Sequence, residues 1–295
     1  MSAVTLRELS LPRDGFEVEE LQLAVWGRSE REVVARDVLT ALQLQGALLA
    51  GAFEARPGNA GRAVEVEARP GEAGRAVEVE ARPGNAGRAV EVAEGKMIGF
   101  VFGFPTARAD VQHSHMLAVL PAWRRSSVAL DLKRFQRDWC LARGVTRVEW
   151  TFDPLRGLNA NFNLRKLGAT VEGYFEHLYG DMSGINAGVA SDRALASWDL
   201  ASARVEGALR GELPVDLAGA VTVNPDAPLT GALPDAPRVR VLIPEDFGAL
   251  LTGDHALAVR WRAHGREVLG HYLRGGYVAT GFSREGGNAY VLERP

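Results

Sequence analysis

The spacing of apolar residues changes several times along the chain, and each change predicts a new element. Met116 to Leu120 is a continuous apolar run closed by Pro121, which is typical of a buried strand. From Val128 to Gly144 apolar side chains recur every three or four residues, which predicts a long amphipathic helix. Residues 211–237 are rich in Pro, Ala and Gly and predict a long loop with one short strand near Val221. The same reasoning predicts strands at 4–11, 47–53, 96–104, 145–152, 170–179, 197–206, 277–282 and 289–292, and helices at 16–26, 30–44, 159–167 and 245–273.

Residues 54–92 contain three tandem copies of a 13-residue unit. EARPGNAGRAVEV begins at Glu54 and recurs from Glu80, while the copy that begins at Glu67 has Glu72 in place of the asparagine. Apolar and charged residues alternate between Pro-Gly turns, which predicts a β-hairpin arm or meander. Disorder is the alternative, because each unit holds little apolar mass.

Composition limits the classes of function. The 295-residue chain has a formal net charge of −3, so we expect no general nucleic-acid binding. The sequence has no apolar run of transmembrane length and begins with charged turns instead of a signal-peptide core, so we expect neither membrane insertion nor export. The single cysteine, Cys140, fits a reducing compartment, so the predicted location is cytoplasmic. We expect no metal site, because ligand spacing is missing at His177, His255, His264 and His271.

Two arginines and two serines stand between the apolar run and the long helix. Ser126 and Ser127 are residue types that cap a helix N-terminus, and Gly144 is a type that ends a helix. Arg124 and Arg125 add positive charge where free backbone N–H groups already favour an anion. The turn therefore predicts a phosphate-binding site. The alternative is an ordinary strand-to-helix connection with a solvated basic turn.

The turn resembles the Gln/Arg-x-x-Gly-x-Gly/Ala motif of the GNAT acyltransferase superfamily, with its Val-x-Pro lead-in, in Val119-Leu120-Pro121 and Arg124-Arg125-Ser126-Ser127-Val128-Ala129. Lys166-Leu167-Gly168-Ala169 resembles a second family segment, Lys-Leu-Gly-Phe. The resemblance implies an acyl-CoA-binding domain over residues 1–180, with the 54–92 arm inserted. Residues 181–295 are then a C-terminal α/β extension that packs on the same core. They resemble a bacterial branch associated with N-acylation, including succinylation, of amino acids.

The resemblance implies an α/β fold, of the α+β type, in which a splayed mixed β-sheet is flanked by helices. The pantetheine arm of acyl-CoA would lie in the gap between strands 115–120 and 145–152, with its pyrophosphate on the N–H groups of residues 125–129. The implied co-substrate is acetyl-CoA or succinyl-CoA, without a metal. Asn159 and Asn163 would contact CoA or cap the short helix. The implied cofactor-binding residues are Leu117, Val119, Arg124, Arg125, Ser126, Ser127, Val128, Ala129, Asn159 and Asn163.

An amine must lose a proton as it attacks a thioester, so the reaction needs a base. His113 and His115 flank Ser114, the position at which many family members carry a base, and by strand alternation the two histidines share a face. The alternative is a polar strand end. Glu149 would assist, or would be a solvated strand glutamate. Asp153 follows the strand that carries Glu149 and would bind the substrate amine.

Two positions depart from the family pattern. Ser127 stands where the motif has its first glycine, and its side chain crowds the approach of a phosphate. Leu164 stands where many members place a tyrosine as general acid for the CoA thiolate. The proton must then come from elsewhere, either Tyr174 or a water.

The sequence therefore predicts a GNAT-type N-acyltransferase that moves an acyl group from acyl-CoA to the primary amine of a small molecule or amino acid by direct attack. A protein N-acyltransferase is the alternative among enzymes. A non-catalytic CoA-binding sensor or interaction module is the alternative outside them, favoured by Ser127, Leu164 and the repeat arm. A homodimer joined through the edges of the arm is a further expectation.

Overall fold

The computed structural model describes residues 4–27, 33–54, 95–181, 187–228 and 231–295. Packing divides the chain into two compact units. The first unit comprises residues 1–25 and 30–145, and the second comprises residues 26–29 and 146–295. The predicted arm over residues 54–92 lies outside the described residues beyond Glu54. The domain boundary expected at residue 180 is based on family resemblance, whereas the two units are defined by packing. That boundary therefore stays a prediction.

The first unit is a four-stranded antiparallel sheet with helices, counted over its described residues. Its strands are paired in the order β1-β2-β3-β4. A short 3-10 turn, Pro121–Trp123, precedes the last helix. The elements are β1 (Val4–Glu8), α1 (Gly15–Trp26), α2 (Arg36–Leu44), β2 (Leu48–Glu54), β3 (Met97–Pro105), β4 (Val111–Val119) and α3 (Val128–Leu141).

The core of the first unit lies between its sheet and α3. Strands β2 and β3 are almost continuously buried, which matches their uninterrupted apolar sequences. From α3, Val128 and Leu132 pack into a cluster with residues of both strands. Each such fully buried aliphatic side chain stabilises the fold by about 1.5–3 kcal/mol relative to an exposed one. The strand members of the cluster are Leu48, Ala50, Ala52, Ile98, Val101 and Val119.

The second unit has seven strands within its described residues, in the order β5-β7-β6-β10-β11-β9-β8. The strand pairs are antiparallel except β8 with β9, which run parallel, so the sheet is mixed. A mixed α/β class is therefore confirmed. The elements are β5 (Arg147–Phe152), α4 (Gly157–Asn161), a π-helical turn (Phe162–Lys166), β6 (Thr170–Phe175), β7 (Arg193–Asp199), α5 (Ala203–Arg210), β8 (Val221–Thr222), β9 (Arg238–Leu242), α6 (Phe247–Gly253), α7 (His255–Arg274), β10 (Val278–Ser283) and β11 (Ala289–Glu293).

Two predicted elements of the second unit are wrong, and side-chain caps explain both; a third element was missed. The strand predicted over residues 197–206 is the end of β7 followed by α5, because Ser202 caps that helix by accepting from Val205 N at 3.3 Å. The helix predicted over residues 245–273 is two helices, because Asp254 accepts from Leu257 N at 2.9 Å and starts α7. Strand β9 was not predicted.

Two boundaries in the first unit also differ from the prediction. The α2 helix begins at Arg36, and Val34 before it is held by Gln22, which bonds both the N–H and the carbonyl of Val34 at 2.9 and 3.1 Å. Strand β4 begins at Val111, five residues earlier than the apolar run indicates. Gln112 and Ser114 in its first half meet a buried polar interior, and this extension places both candidate histidines within a strand.

Gly168, in the Lys-Leu-Gly segment, lies where α5 approaches the backbone. Its φ is +71°, and a Cβ there would lie 2.8 Å from Ala208 Cβ and 2.9 Å from the main-chain oxygen of Arg204. Arg204 Nε donates to the Gly168 carbonyl at 2.9 Å, which holds the helix in this position. Only a residue without a side chain permits both the backbone conformation and the contact.

Gly168→Ala therefore tests this contact, and Gly144→Ala is its matched control. Gly144 has φ +75°, but a Cβ there would have no atom within 4 Å. We expect Gly144→Ala to lower the free energy of unfolding by about 1–2 kcal/mol through its backbone conformation alone. Gly168→Ala should cost roughly 1–3 kcal/mol more because it also overpacks the helix contact. Urea denaturation measures both, and equal losses would show that α5 does not press on Gly168.

Candidate active site

The basic turn, Arg124–Ser127, follows the 3-10 turn after β4 and leads into α3. Ser126 Oγ donates to the Trp123 carbonyl at 2.6 Å and accepts from Val128 N at 3.3 Å, so it satisfies one N–H at the helix start. Ser127 has helical backbone angles and makes no capping hydrogen bond through its side chain, so its predicted role as a cap is wrong. Ser126 therefore organises the turn, whereas Ser127 is exposed.

Both arginines of the turn are exposed. Arg124 Nη2 approaches the Val25 carbonyl at 3.4 Å, which leans its side chain toward the end of α1. The first N–H groups of a helix have no intrahelical acceptor, so the start of α3 offers N–H donors beside two positive side chains. Two of these donors already have partners, since Val128 N donates to Ser126 Oγ and Ser126 N to the Trp123 carbonyl. An anion would meet N–H donors and both arginines at this turn. Val128 is buried and Ala129 is partly buried. Because both side chains are apolar, these residues could bind an anion only through their main-chain groups.

Strand β4 carries the two candidate histidines to one aromatic face. The His113 ring lies 5.0 Å from the Phe104 ring and 5.9 Å from the His115 ring, measured between centroids. Phe102 also meets His115, at 6.2 Å. The two histidines share one face of β4, as strand alternation predicts, and His115 is exposed. Farther along the strand, Leu117 and Val119 pair with Val101 and Gly99 of β3.

The opposite side of β4 meets a buried polar cluster on α3, which the sequence reasoning missed. Lys133 Nζ donates to Ser114 Oγ at 3.1 Å and to Gln136 Oε1 at 2.8 Å. Gln136 Nε2 then donates to Gln112 Oε1 at 2.7 Å. All four side chains are buried. Lys133, Gln136 and Cys140 follow the i, i+3, i+7 spacing of a buried helix face, and this spacing was the available signal.

Burial changes the ionisation of two groups on this face of α3. It lowers the pKa of the Lys133 ammonium from an ordinary 10.5 to about 7. It raises the pKa of the Cys140 thiol to about 12, against a smaller opposing effect from Lys133. Cys140 is fully buried and stays a thiol, so it is no nucleophile in this conformation.

Asp153, in the second unit, is held by an arginine that the sequence reasoning did not include. Arg262 on α7 binds both carboxylate oxygens, at 2.9 and 2.6 Å, and both residues are buried. Asp153 Oδ1 also accepts from Leu155 N at 3.0 Å, which closes the turn after β5. A substrate amine would therefore meet a carboxylate that already has a bidentate partner.

Tyr174 belongs to a second buried carboxylate. Its hydroxyl donates to Asp192 Oδ2 at 2.9 Å, and Arg266 binds both Asp192 oxygens at 3.0 and 2.6 Å. His177 N donates to Asp192 Oδ1 at 3.0 Å. Burial alone would raise the pKa of Asp192, but these bonds hold it below its ordinary value. Burial, assisted by Asp192, raises the pKa of Tyr174 well above its ordinary value, which makes the phenol a weak acid.

The remaining predicted residues of the second unit have different environments. Glu149 is half-buried on β5, opposite Ser197 of β7. Asn159 is exposed on α4, whereas Asn163 is buried in the π-helical turn with its Nδ2 unbonded among the described residues. Neither asparagine caps the short helix, because that helix begins at Gly157.

Among the described residues, no helix is long and apolar enough to cross a membrane. Within the same part of the chain, three or more His, Cys, Asp or Glu side chains nowhere gather in a metal-binding arrangement.

Several solved structures are similar to this chain, whereas no family model and no curated protein matches it. A protein from Desulfovibrio desulfuricans described as a GNAT-family acetyltransferase is 16% identical over 68% of this chain and 100% of its own, with a TM-score of 0.46. The ribosomal-protein-S18-alanine N-acetyltransferase of Escherichia coli is 13% identical over 68% and 96%, with a TM-score of 0.45. A protein described as an acetyltransferase from Salmonella typhimurium, with its cofactor acetyl-CoA, is 14% identical over 68% and 96%, with a TM-score of 0.43.

Lys133→Met tests the buried ammonium of the first unit. The unfolded lysine holds its proton up to about pH 10.5, whereas the folded one loses it above about pH 7. The unfolded chain therefore binds more protons between these values, so the free energy of unfolding rises with pH there, by at most about 1.4 kcal/mol per pH unit from this group. Lys133→Met should remove this slope between pH 7 and 9, as measured by urea denaturation.

Lys166→Met is the matched control, because Lys166 is exposed. It should keep the wild-type slope. A Lys133→Met variant with the wild-type slope would show that Lys133 keeps an ordinary pKa in the folded protein.

Proposed function

We propose that the chain is an acyl-CoA-dependent N-acyltransferase of the GNAT type. The observation that carries the proposal lies within the first unit. A single strand, β4, carries the paired rings of His113 and His115 and then runs into the exposed Arg124–Ser127 turn at the start of α3. The turn suits a pyrophosphate, and the histidines suit the removal of a proton from an amine.

The roles in the first unit follow from this arrangement. The pyrophosphate of CoA accepts from the N–H groups of residues 125–129, and Arg124 and Arg125 supply its counter-charge. The amides of the pantetheine arm pair with the backbone of Leu117 and Val119. From His115 to Val119 the strand rises by about 13 Å, at about 3.3 Å per residue, which leaves room for an extended arm. A backbone N–H of residues 115–120 polarises the thioester carbonyl.

His115 or His113 acts as the base for the attacking amine. The nitrogen attacks the thioester carbon, the tetrahedral intermediate collapses, and the C–S bond breaks to release CoA thiolate. Tyr174 remains a proposed proton donor to that thiolate, in competition with its bond to Asp192. Glu149 remains a proposed assistant to the base. Asp153 remains a proposed acceptor-site residue, acting through the arginine that it holds.

The finer parts of the proposal concern the substrates and the setting. We propose a small primary amine or amino acid as acceptor, an acetyl or succinyl donor, and Asn159 and Asn163 as further CoA contacts. A cytoplasmic location is supported by the single buried Cys140. A homodimer joined through the repeat arm is part of the same proposal.

A non-catalytic CoA-binding module is a second candidate, favoured by two observations. Ser127 is exposed at the motif's first glycine position, and Leu164 is fully buried at the position of the family's acid. Free-thiol release separates the candidates, with acetyl-CoA and succinyl-CoA tested against amines, amino acids and peptides with free N-termini. Thiol release with an amine supports the enzyme, and CoA binding without release from any amine supports the module.

The double variant Arg124→Gln/Arg125→Gln should bind CoA about 10- to 100-fold more weakly than wild type, because two charge-assisted contacts are lost. Its affinity should also depend less on salt. Isothermal titration calorimetry with CoA measures both effects. Arg134→Gln/Arg165→Gln removes two exposed charges elsewhere and should leave the affinity unchanged. If the two double variants bind CoA with equal affinity, the pyrophosphate does not bind at this turn.

The variants His113→Ala and His115→Ala test the base. Loss of the acting base should lower kcat by about 10²- to 10⁴-fold and flatten the pH profile between pH 6 and 9, while CoA affinity stays the same. His255→Ala removes an exposed histidine in the second unit and is the control. The base assignment is wrong if both single variants and the double variant turn over like wild type.

A further inference from the structure

Strand β4 contains one residue more than its pairing with β3 requires. Phe102 of β3 lies opposite Met116, whereas the next residue, Gly103, lies opposite Ser114. His115 is therefore the extra residue of a β-bulge, and the ladder is regular on either side of it. A bulge re-aims the side chains of the strand that carries it.

The bulge exchanges the two faces of β4. Beyond it, Leu117 and Val119 pack into the apolar cluster that α3 covers. If strict alternation continued back along the strand, His113 and His115 would lie on that same face, because every second side chain points the same way. They lie on the other face instead, where their rings are 5.0 and 5.8 Å from the ring of Phe104. The aromatic face that carries both histidines therefore depends on the bulge.

The buried polar cluster of α3 occupies the face that the histidines leave. Ser114 Oγ accepts from Lys133 Nζ at 3.1 Å and donates to Gln136 Oε1 at 3.3 Å. Gln136 Nε2 also donates to Gln112 Oε1 at 2.7 Å. The two polar residues of β4 on either side of His113 are thus both held toward α3. The four side chains of the cluster are 0% to 6% exposed, so water could not replace a hydrogen bond lost among them.

Gly103 shows that this cluster is built against the bulge itself. A Cβ at Gly103 would lie 2.5 Å from Gln112 Oε1 and 2.9 Å from Gln136 Nε2, so both amides pack directly on the backbone of β3. Gly103 is also the residue that pairs with Ser114. The ladder position next to the bulge is therefore shaped to admit the polar cluster.

A shift of the first half of β4 by one residue would undo this arrangement. Without the bulge, Gly103 would lie opposite His115, and Phe104 would lie opposite Ser114. A one-residue shift sends each side chain to the other face of the sheet. Ser114 would leave Lys133, and an imidazole would take its place against α3. A buried ammonium that loses hydrogen-bond partners is costly, so the cluster disfavours the shifted register.

We propose that Ser114, Lys133 and Gln136 are positioning residues that fix the register of β4 and thereby hold His113 and His115 on the aromatic face. The register assignment is independent of the proposed function, whereas its catalytic consequence rests on that function. A buried polar network selects one arrangement, because the alternatives leave donors or acceptors unpaired.

Ser114→Val and Ser114→Thr are the matched pair that tests this assignment. Valine and threonine are both β-branched and nearly equal in shape, so both add the same bulk, but only threonine can bond Lys133. Lys133→Met is a second, independent variant. Its control is Arg134→Met, which changes the exposed neighbour on the same helix. Circular dichroism checks that each variant is folded.

NMR of protein labelled at His and Phe measures the register directly. The His115 ring should show cross-peaks with the ring of Phe104, and its signal is assigned by its loss in His115→Gln. We expect Ser114→Thr and Arg134→Met to keep these cross-peaks, and Ser114→Val and Lys133→Met to lose them. A loss of stability alone would not move an imidazole from one face of a strand to the other.

Free-thiol release from acetyl-CoA, with ethylamine and L-alanine as acceptors, measures the catalytic consequence. The kcat of Ser114→Val should be about 10- to 100-fold below that of Ser114→Thr, because a misplaced base loses most of its effect. Lys133→Met should be lower than Arg134→Met by a similar factor. The affinity for CoA, measured by calorimetry, should be equal within each pair.

The outcomes separate this inference from the proposed function. A variant that keeps the ring cross-peaks removes its residue from the assignment, and the inference is overturned if Ser114→Val and Lys133→Met both keep them. If Ser114→Thr loses them as well, the added bulk is responsible, and Lys133→Met decides. If the cross-peaks are lost and kcat is unchanged, the register assignment stands and its catalytic consequence fails. If the wild type releases no thiol, the proposed function fails, and the cross-peaks still decide the register.

Discussion

A charge removed from water must find partners at hydrogen-bond distance, and this requirement determines the interior of the second unit. Asp192 is fully buried and receives Arg266, the Tyr174 hydroxyl and the His177 N–H. These bonds join β6, the residue before β7, α7 and the turn after β6 at one carboxylate. Asp153 does the same for the end of β5 and α7 through Arg262. The long helix of the C-terminal half is therefore part of the support for the predicted site residues.

In the first unit, Lys133 meets the same requirement through neutral side chains. Lys133 is bonded to a serine and a glutamine, so oxygen dipoles stabilise the ammonium, but burial still lowers its pKa to about 7. Gln112 and Ser114, in the polar half of β4, are the strand's members of this cluster. The alternate residues of β4 carry the histidine rings, so one strand joins a buried polar interior to an accessible aromatic face.

The elements with a clean apolar period could be predicted, and those governed by polar contacts could not. The apolar strands β2 and β3 and the helix α3 are confirmed because burial alone decides them. Strand β9 was not predicted, because its alternating arginines and valines directly follow a Pro-rich loop. Lys133 and Arg262 were missed because charged residues are expected at the surface, and their partners are up to 109 positions away in the sequence. The basic turn at Arg124–Ser127 could be located because its residues are adjacent in the sequence, and its role as a phosphate site stays a prediction.

The single cysteine gives the first unit an internal reporter. Cys140 lies on the buried face of α3, and its thiol cannot react with an alkylating reagent until that helix separates from the sheet. Because the chain has no other thiol, the rate of labelling measures the openings, local or global, that expose this face of α3, on a timescale of minutes to hours. Occupation of the turn at the start of α3 would slow that rate, since a ligand that binds only the closed form stabilises it. Ligand binding at one end of the helix thus has a chemical readout near the other.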